Sequence, residues 1–243
     1  YFYDQKDRKD LLLITGFAMP GGLATNGSKL TITTAKAVAG VMREAEAFVV
    51  PTSSKYKTIN DLLTDIKANP KSIAIGGGNY GGVDHVTVAT LAATVGVKAT
   101  DLNYIPYSGG SQVTAAVLNG ATVAAGVSGW AEFKESVTAG KMRVLAVTSP
   151  KPLKVIKGKT LVQQGVDLTF GNWRGILAPA DLSAADYLNT VKVIDALHST
   201  PSWKSTLVAK SWIDEYRVGT AFTTWLKPEV AAILKILKDF KLY

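Results

Sequence analysis

The chain has no cysteine and only two histidines among its 243 residues. Disulfides and thiolate metal sites are thereby excluded, and two histidines make no cluster for a metal, so neither metal nor cofactor is expected. Long apolar runs are also lacking. The most hydrophobic stretch, residues 113–125, is broken by Asn119 and Gly120 and is too short to cross a bilayer. The chain opens with Tyr1-Phe2-Tyr3-Asp4-Gln5-Lys6 and shows no charged-then-apolar leader, so a signal peptide is either already removed or was never present. Basic residues exceed acidic ones, 27 to 19, for a net charge of +8, but they are scattered. The densest group, Lys151, Lys154, Lys157 and Lys159, has no aromatic residue among it for stacking bases and reads as a solvated loop. No nucleic-acid partner is expected.

What remains is an ordinary globule with 47% hydrophobic and 19% charged residues. Short apolar runs at 11–14, 48–50, 73–75, 102–105, 122–125, 144–147 and 175–177 read as buried strands. Helical patterns fall between most of them. Thr58 and Asp61 have the spacing of a capping box, and Ile59, Leu62, Leu63 and Ile66 follow at helical spacing until Asn69-Pro70. Gly96 and Gly120 read as C-terminal glycines of two further helices. Strands alternating with helices predict an α/β fold with mostly parallel sheet. Residues 183–197, 201–209 and 220–240 read as helices, the last with an apolar stripe of Phe222, Leu226, Val230, Ile233 and Leu237 that serves as a core face.

Two glycine-rich turns, 76–82 and 107–111, each lie between a strand-like run and a helix-like run. A backbone that leaves a strand through glycines and enters a helix points free N–H groups, and the positive end of the helix dipole, at one small volume. The arrangement predicts an anion site. Gly76, Gly78 and Gly81 also fit G-x-G-x-x-G, but Asp101, 20 residues after Gly81, precedes its strand and so stands at the wrong end of the sheet to hold a ribose. Residues 126–130 miss the nucleophile elbow because Trp130 stands where glycine is needed. Ser128 there reads either as a hydroxyl donor at a third strand-to-helix turn or as a helix cap. His85, beside Asp84, reads as ligand-lining or structural, since no serine, cysteine or further carboxylate is near it in sequence to be activated. Tyr107 either closes over a ligand or covers a strand end.

Four segments in order resemble the periplasmic solute receptors of tripartite tricarboxylate transporters: 75–78 through Asp84-His85, the 102–110 strand with Pro106-Tyr107-Ser108-Gly109-Gly110, the Ala139-Gly140-Lys141-Met142-Arg143 segment through Ser149, and Asn172-Trp173-Arg174-Gly175 with Ala178-Pro179. The resemblance implies a two-lobed type II periplasmic-binding-protein fold, each lobe a mostly parallel sheet flanked by helices, with the ligand cleft between the lobes. One lobe would be 1–69 with 173–243, the other 70–172. It also implies a periplasmic, monomeric, non-enzymatic receptor that captures a di- or tricarboxylate or other carboxylic acid by hinge closure and delivers it to membrane permease subunits. The residues carried over as ligand-binding are Gly78, Asn79, Tyr80, Gly81, Gly82 and His85, then Tyr107, Ser108, Gly109, Gly110 and Ser111, then Ser128 and Gly129. From the first lobe come Gly16 and Asn26, which read equally as parts of an ordinary surface turn. Family members begin with a further strand and a proline-glycine-rich loop, so the native protein is expected to extend ahead of Tyr1.

Overall fold

A computed structural model describes residues 1–242, which form two compact units: 1–43 with 172–238, and 44–171 with 239–242. Both are α/β. The boundary differs from the expected one at 69/70, because residues 44–69 belong with the second unit. Their strand pairs on both sides within its sheet, and Ile59, Leu62, Leu63 and Ile66 enter the same core as Ile75, Leu91 and Tyr104.

The first unit is built on a four-stranded sheet of β1 (Leu13–Gly16), β8 (Asn172–Ala178), β2 (Lys36–Glu44, whose last residue belongs to the second unit) and β9 (Arg217–Val218), in that order. The two pairings with a described register, β1 with β8 and β2 with β9, are antiparallel, not parallel as the local alternation of strands and helices suggested. Leu13 faces Leu177, 164 positions later, and no local pattern encodes the direction of so distant a partner. Helices α1 (Ala18–Thr25), α6 (Ala184–Ser199), α7 (Pro201–Lys210) and α8 (Thr220–Asp239) complete the unit. The stripe on α8 is buried as expected, and Phe222 lies over two glycines of neighbouring strands. A Cβ on Gly175 would stand 2.5 Å from its ring, and one on Gly40 2.9 Å.

The second unit has a five-stranded sheet in the order β5 (Asn103–Pro106), β4 (Ala74–Gly77), β6 (Ala125–Gly129), β3 (Glu46–Pro51), β7 (Met142–Val147). β4 runs parallel to β5 and β6, while β3 runs antiparallel to β6 and β7. The helices are α2 (Ile59–Ala68), α3 (Val83–Ala93), α4 (Gly110–Asn119) and α5 (Trp130–Thr138). The capping box forms at α2: Thr58 Oγ1 accepts from the Asp61 N–H at 3.2 Å and Asp61 accepts from the Thr58 N–H at 2.9 Å. Gly120 ends α4 at φ +68°, where a Cβ would be strained. Two apolar clusters, one around Phe48, Leu62 and Leu91 and one around Val49, Val113 and Phe133, fix β3, β4 and β6. The C-terminal ends of β4 and β5 run into the two glycine turns.

Candidate functional site

β4 ends at Gly77 and α3 begins at Val83, so the first glycine turn lies where the sequence placed it. Its N–H groups are divided between two uses. The Gly78 N–H donates to Asp84 Oδ2 at 2.7 Å, the Gly81 N–H donates to His85 Nδ1 at 3.1 Å, and the Gly82 N–H donates to the Asn79 carbonyl at 3.0 Å. Among the described residues, the N–H groups of Asn79 and Tyr80 have no acceptor within the chain. The reading of this turn as a free anion cradle is therefore narrowed to Asn79 and Tyr80. Asp84 and His85 brace it from below.

His85 is only 2% exposed, stacked on Tyr104 with ring centroids 4.4 Å apart and met edge-on by Tyr80 at 4.9 Å. Because Nδ1 accepts, the neutral ring carries its proton on Nε2. Burial pushes the imidazole down to about 4, so the ring is uncharged at neutral pH and cannot serve as a cationic anchor. The depressed value makes stability rise with pH between about 4 and the unfolded value near 6.5, since the unfolded chain binds the proton and the folded one resists it. We expect the His85 ring resonances, followed by NMR, to hold their neutral positions from about pH 8 down to about pH 5.5; titration near 6.5 would contradict this placement.

The second turn differs. The Tyr107 N–H donates to the Gly77 carbonyl at 2.8 Å, which ties the two turns side by side, and the Ser108 N–H donates to Gln112 Oε1 at 3.0 Å. The N-cap of α4 is Gly109, with extended backbone at φ 178° and ψ 168° and no side-chain cap. A Cβ added there would meet nothing within 4 Å. Among the described residues, the Gly110 and Ser111 N–H groups find no acceptor within the chain. Those two donors stand at the positive end of a ten-residue helix, and the Glu132 side chain packs against Gly110. Tyr107 is half-buried with its ring over Gly76, which makes it the cover of a strand end.

Ser128 and Gly129 lie within β6, paired with Ala47 and Glu46, rather than in an open turn. Both are buried. A carboxylate of this chain already stands at the start of α5, where Glu44 Oε1 accepts from the Ala131 N–H at 3.1 Å. A Cβ on Gly129 would fall 2.7 Å from Glu44 Cδ. The third strand-to-helix junction is thus closed by the chain itself. Glu44 and Glu46, which the sequence reading missed, end β2 and begin β3 on either side of Ala45; their only signal is acidic residues next to an apolar strand.

In the first unit, Gly16 and Asn26 both line a cavity of about 490 Å³ with Ile14, Thr15, Met19 and Arg174. Gly16 ends β1 next to the Arg174 guanidinium, and Asn26 is exposed at the C-terminal end of α1, donating to the Gly22 carbonyl at 2.7 Å. They are therefore not parts of one surface turn: Gly16 closes β1 and Asn26 caps the C-terminal end of α1. Arg174, which hydrogen-bonds Asn172 Oδ1, was read only as part of a family segment.

Among the described residues no group of three acidic or histidine side chains is placed to hold a metal, and no helix is long and apolar enough to cross a membrane. The family model for the tripartite tricarboxylate transporter family receptor matches residues 28–215, and the chain belongs to that family. A curated relative, the UPF0065 protein in the gbd 5′ region of Cupriavidus necator, is 30% identical over 133 residues, 54% of this chain and 39% of that protein. The matched stretch thus spans about two fifths of that relative's length. The fold is similar to a TctC solute binding protein from Polaromonas, with a TM-score of 0.78 at 20% identity over 98% of this chain and 81% of that one. It is equally similar to MatC from Rhodopseudomonas palustris with bound malate, with a TM-score of 0.78 at 13% identity over 94% of this chain and 79% of that one.

Proposed function

We propose that this chain is a periplasmic receptor that binds a small organic anion, a di- or tricarboxylate or another carboxylic acid, and passes it to the permease subunits of a tripartite tricarboxylate transporter. The observation that carries the reading is the N-terminus of α4: Gly109 leaves space where any other residue would place a side chain, and among the described residues the next two N–H groups have no acceptor. A carboxylate seated there takes two hydrogen bonds from neutral donors and the favourable end of the helix dipole. Asn79 and Tyr80 of the adjoining turn add further N–H groups. The malate bound to MatC supports a carboxylate as the ligand class.

The same geometry speaks against a nucleotide and against catalysis. The Gly78 and Gly81 N–H groups that a phosphate would need in the first turn are engaged by Asp84 and His85, and a buried carboxyl lies directly beneath it. His85, neutral and with Nδ1 occupied, packs against Tyr80 and Tyr104, whose hydroxyls already donate to the Tyr104 and Gly78 carbonyls.

A thermal-shift screen tests the reading, with malate, citrate, succinate, glutamate and nicotinate as candidates and NAD and ATP as controls. A ligand at a hundred times its dissociation constant stabilises the folded state by about 2.7 kcal/mol, a shift of several degrees. Stabilisation by one class of carboxylate and by neither nucleotide is the expected result; a shift with NAD or ATP alone would overturn it.

A further inference from the structure

One guanidinium of the first unit is only half used. Arg8 pairs with Asp10 at 2.7 Å, Arg43 and Arg217 pair with Glu215 at 2.8 and 3.2 Å, and Arg143 donates to the Tyr56 and Thr52 carbonyls at 2.7 and 2.6 Å. Arg174 makes no ion pair among the described residues. Its hydrogen bonds all come from Nη1, which donates to Asn172 Oδ1 and, at 3.2 Å, to the Trp173 carbonyl. Nε and Nη2, whose N–H groups form the edge that meets a carboxylate with two parallel bonds, have no acceptor among the described residues. A half-buried cation braced on one side and unpartnered on the other is suited to receive an anion.

The local structure puts this guanidinium at a cavity. Arg174 stands opposite Gly16 in the β1–β8 pair, and such partners project from the same face of the sheet. Gly16 leaves room for it: a Cβ there would fall 2.7 Å from Arg174 Nη1 and 2.6 Å from the Trp173 carbonyl. Ile14, two residues earlier in β1 and so on the same face, is 71% exposed. Together with Met19 and Leu23 of α1 it supplies the apolar wall of the cavity of about 490 Å³ that Arg174 lines, a volume suited to a small molecule. Arg174 is the one charged residue of that lining. We propose that this cavity binds a monocarboxylate with a short apolar chain, the carboxylate on Arg174 Nε and Nη2 and the chain against Ile14, Met19 and Leu23. A second carboxylate would rest on those three side chains without a partner, which disfavours di- and tricarboxylates here. The site belongs to the first unit alone and does not depend on an anion at the start of α4.

Calorimetric titration of the whole chain with hexanoate, set against hexanamide and acetate, tests the proposal. Hexanamide has the shape without the charge and acetate the charge without the chain, so each should bind at least about tenfold more weakly than hexanoate. Arg174→Gln, whose amide can still donate to Asn172, should lose about tenfold to a hundredfold in hexanoate affinity while melting within a few degrees of the wild type. Arg174→Lys keeps the charge but not the fork and should fall between the two. No binding of hexanoate, or equal affinity in wild type and Arg174→Gln, would overturn the proposal. Gly109→Val separates this site from the start of α4. Hexanoate binding that survives Gly109→Val and fails in Arg174→Gln supports the cavity whatever becomes of the α4 reading; the reverse pattern would seat the acid at α4 and remove the cavity site. Should Arg174→Gln not fold, the Arg174 Nε–H resonance of the wild type decides: a saturable shift with hexanoate and none with hexanamide supports the site, and no shift with either refutes it.

Discussion

Gly109→Val is expected to weaken carboxylate binding by at least about a hundredfold while melting within a few degrees of the wild type. The two halves of this result have separate causes. A Cβ at position 109 meets no atom within 4 Å, and the backbone there is extended, a conformation that valine adopts freely, so the fold has no reason to yield. The isopropyl group, however, adds bulk at the N-cap, next in the chain to the Gly110 and Ser111 N–H groups. Hydrogen bonds to a charged acceptor contribute about 1.5–3 kcal/mol each, so blocking two of them costs about 3 kcal/mol or more, which corresponds to the hundredfold loss. Calorimetric titration of both proteins with the same carboxylate, alongside their unfolding curves, measures both halves. Unchanged affinity would remove the second glycine turn from the site.

Gly77→Ala should do the opposite: damage the fold first and binding only as a consequence. Its Cβ would fall on the Tyr104 hydroxyl and 2.9 Å from Asp84 Cβ. Tyr104 is buried, stacked on His85 and bonded to the Gly78 carbonyl, so it cannot swing aside without breaking the brace of the first turn. Overpacking costs about 1–3 kcal/mol, and a broken buried hydrogen bond adds about 1–3 kcal/mol. For a chain of this size the sum lowers the unfolding temperature by on the order of 10 °C. A variant that melts like the wild type would show that the turn is not held in the way described. The contrast between these two glycines separates a residue that leaves room for ligand from one that leaves room for the protein.

The features legible in the sequence were those with a local cause. The Thr58 and Asp61 capping box, the left-handed Gly120 and the buried stripe on α8 are fixed by residues within a turn or two of one another, and all three form. Features set by distant partners were not legible. β2 carries Ala37, Val38 and Ala39 into a core but is flanked by Lys36 and Arg43, and its strand character comes from neighbours in the sheet. β6 begins at Ala125, later than the apolar run suggested, which moved Ser128 and Gly129 from an open turn into a ladder with β3.

The site followed the same rule. The two glycine turns and the position of His85 could be read directly, because glycines between a strand and a helix signal their geometry. Which N–H groups remained for a ligand could not. Asp84 and His85 capture two of them from the first turn, and Glu44, 87 positions before Ala131, captures one at the third junction. Satisfaction of backbone donors by side chains is decided by the tertiary structure, and it leaves the start of α4 as the junction open to solvent.

An amide chemical-shift titration of the whole chain, with the carboxylate that stabilises it best, tests most directly whether the start of α4 holds the ligand. Saturable, matched shifts are expected at the Gly110 and Ser111 amides, with smaller ones at Asn79 and Tyr80. Saturating binding that leaves the Gly110 and Ser111 amides in place would contradict it.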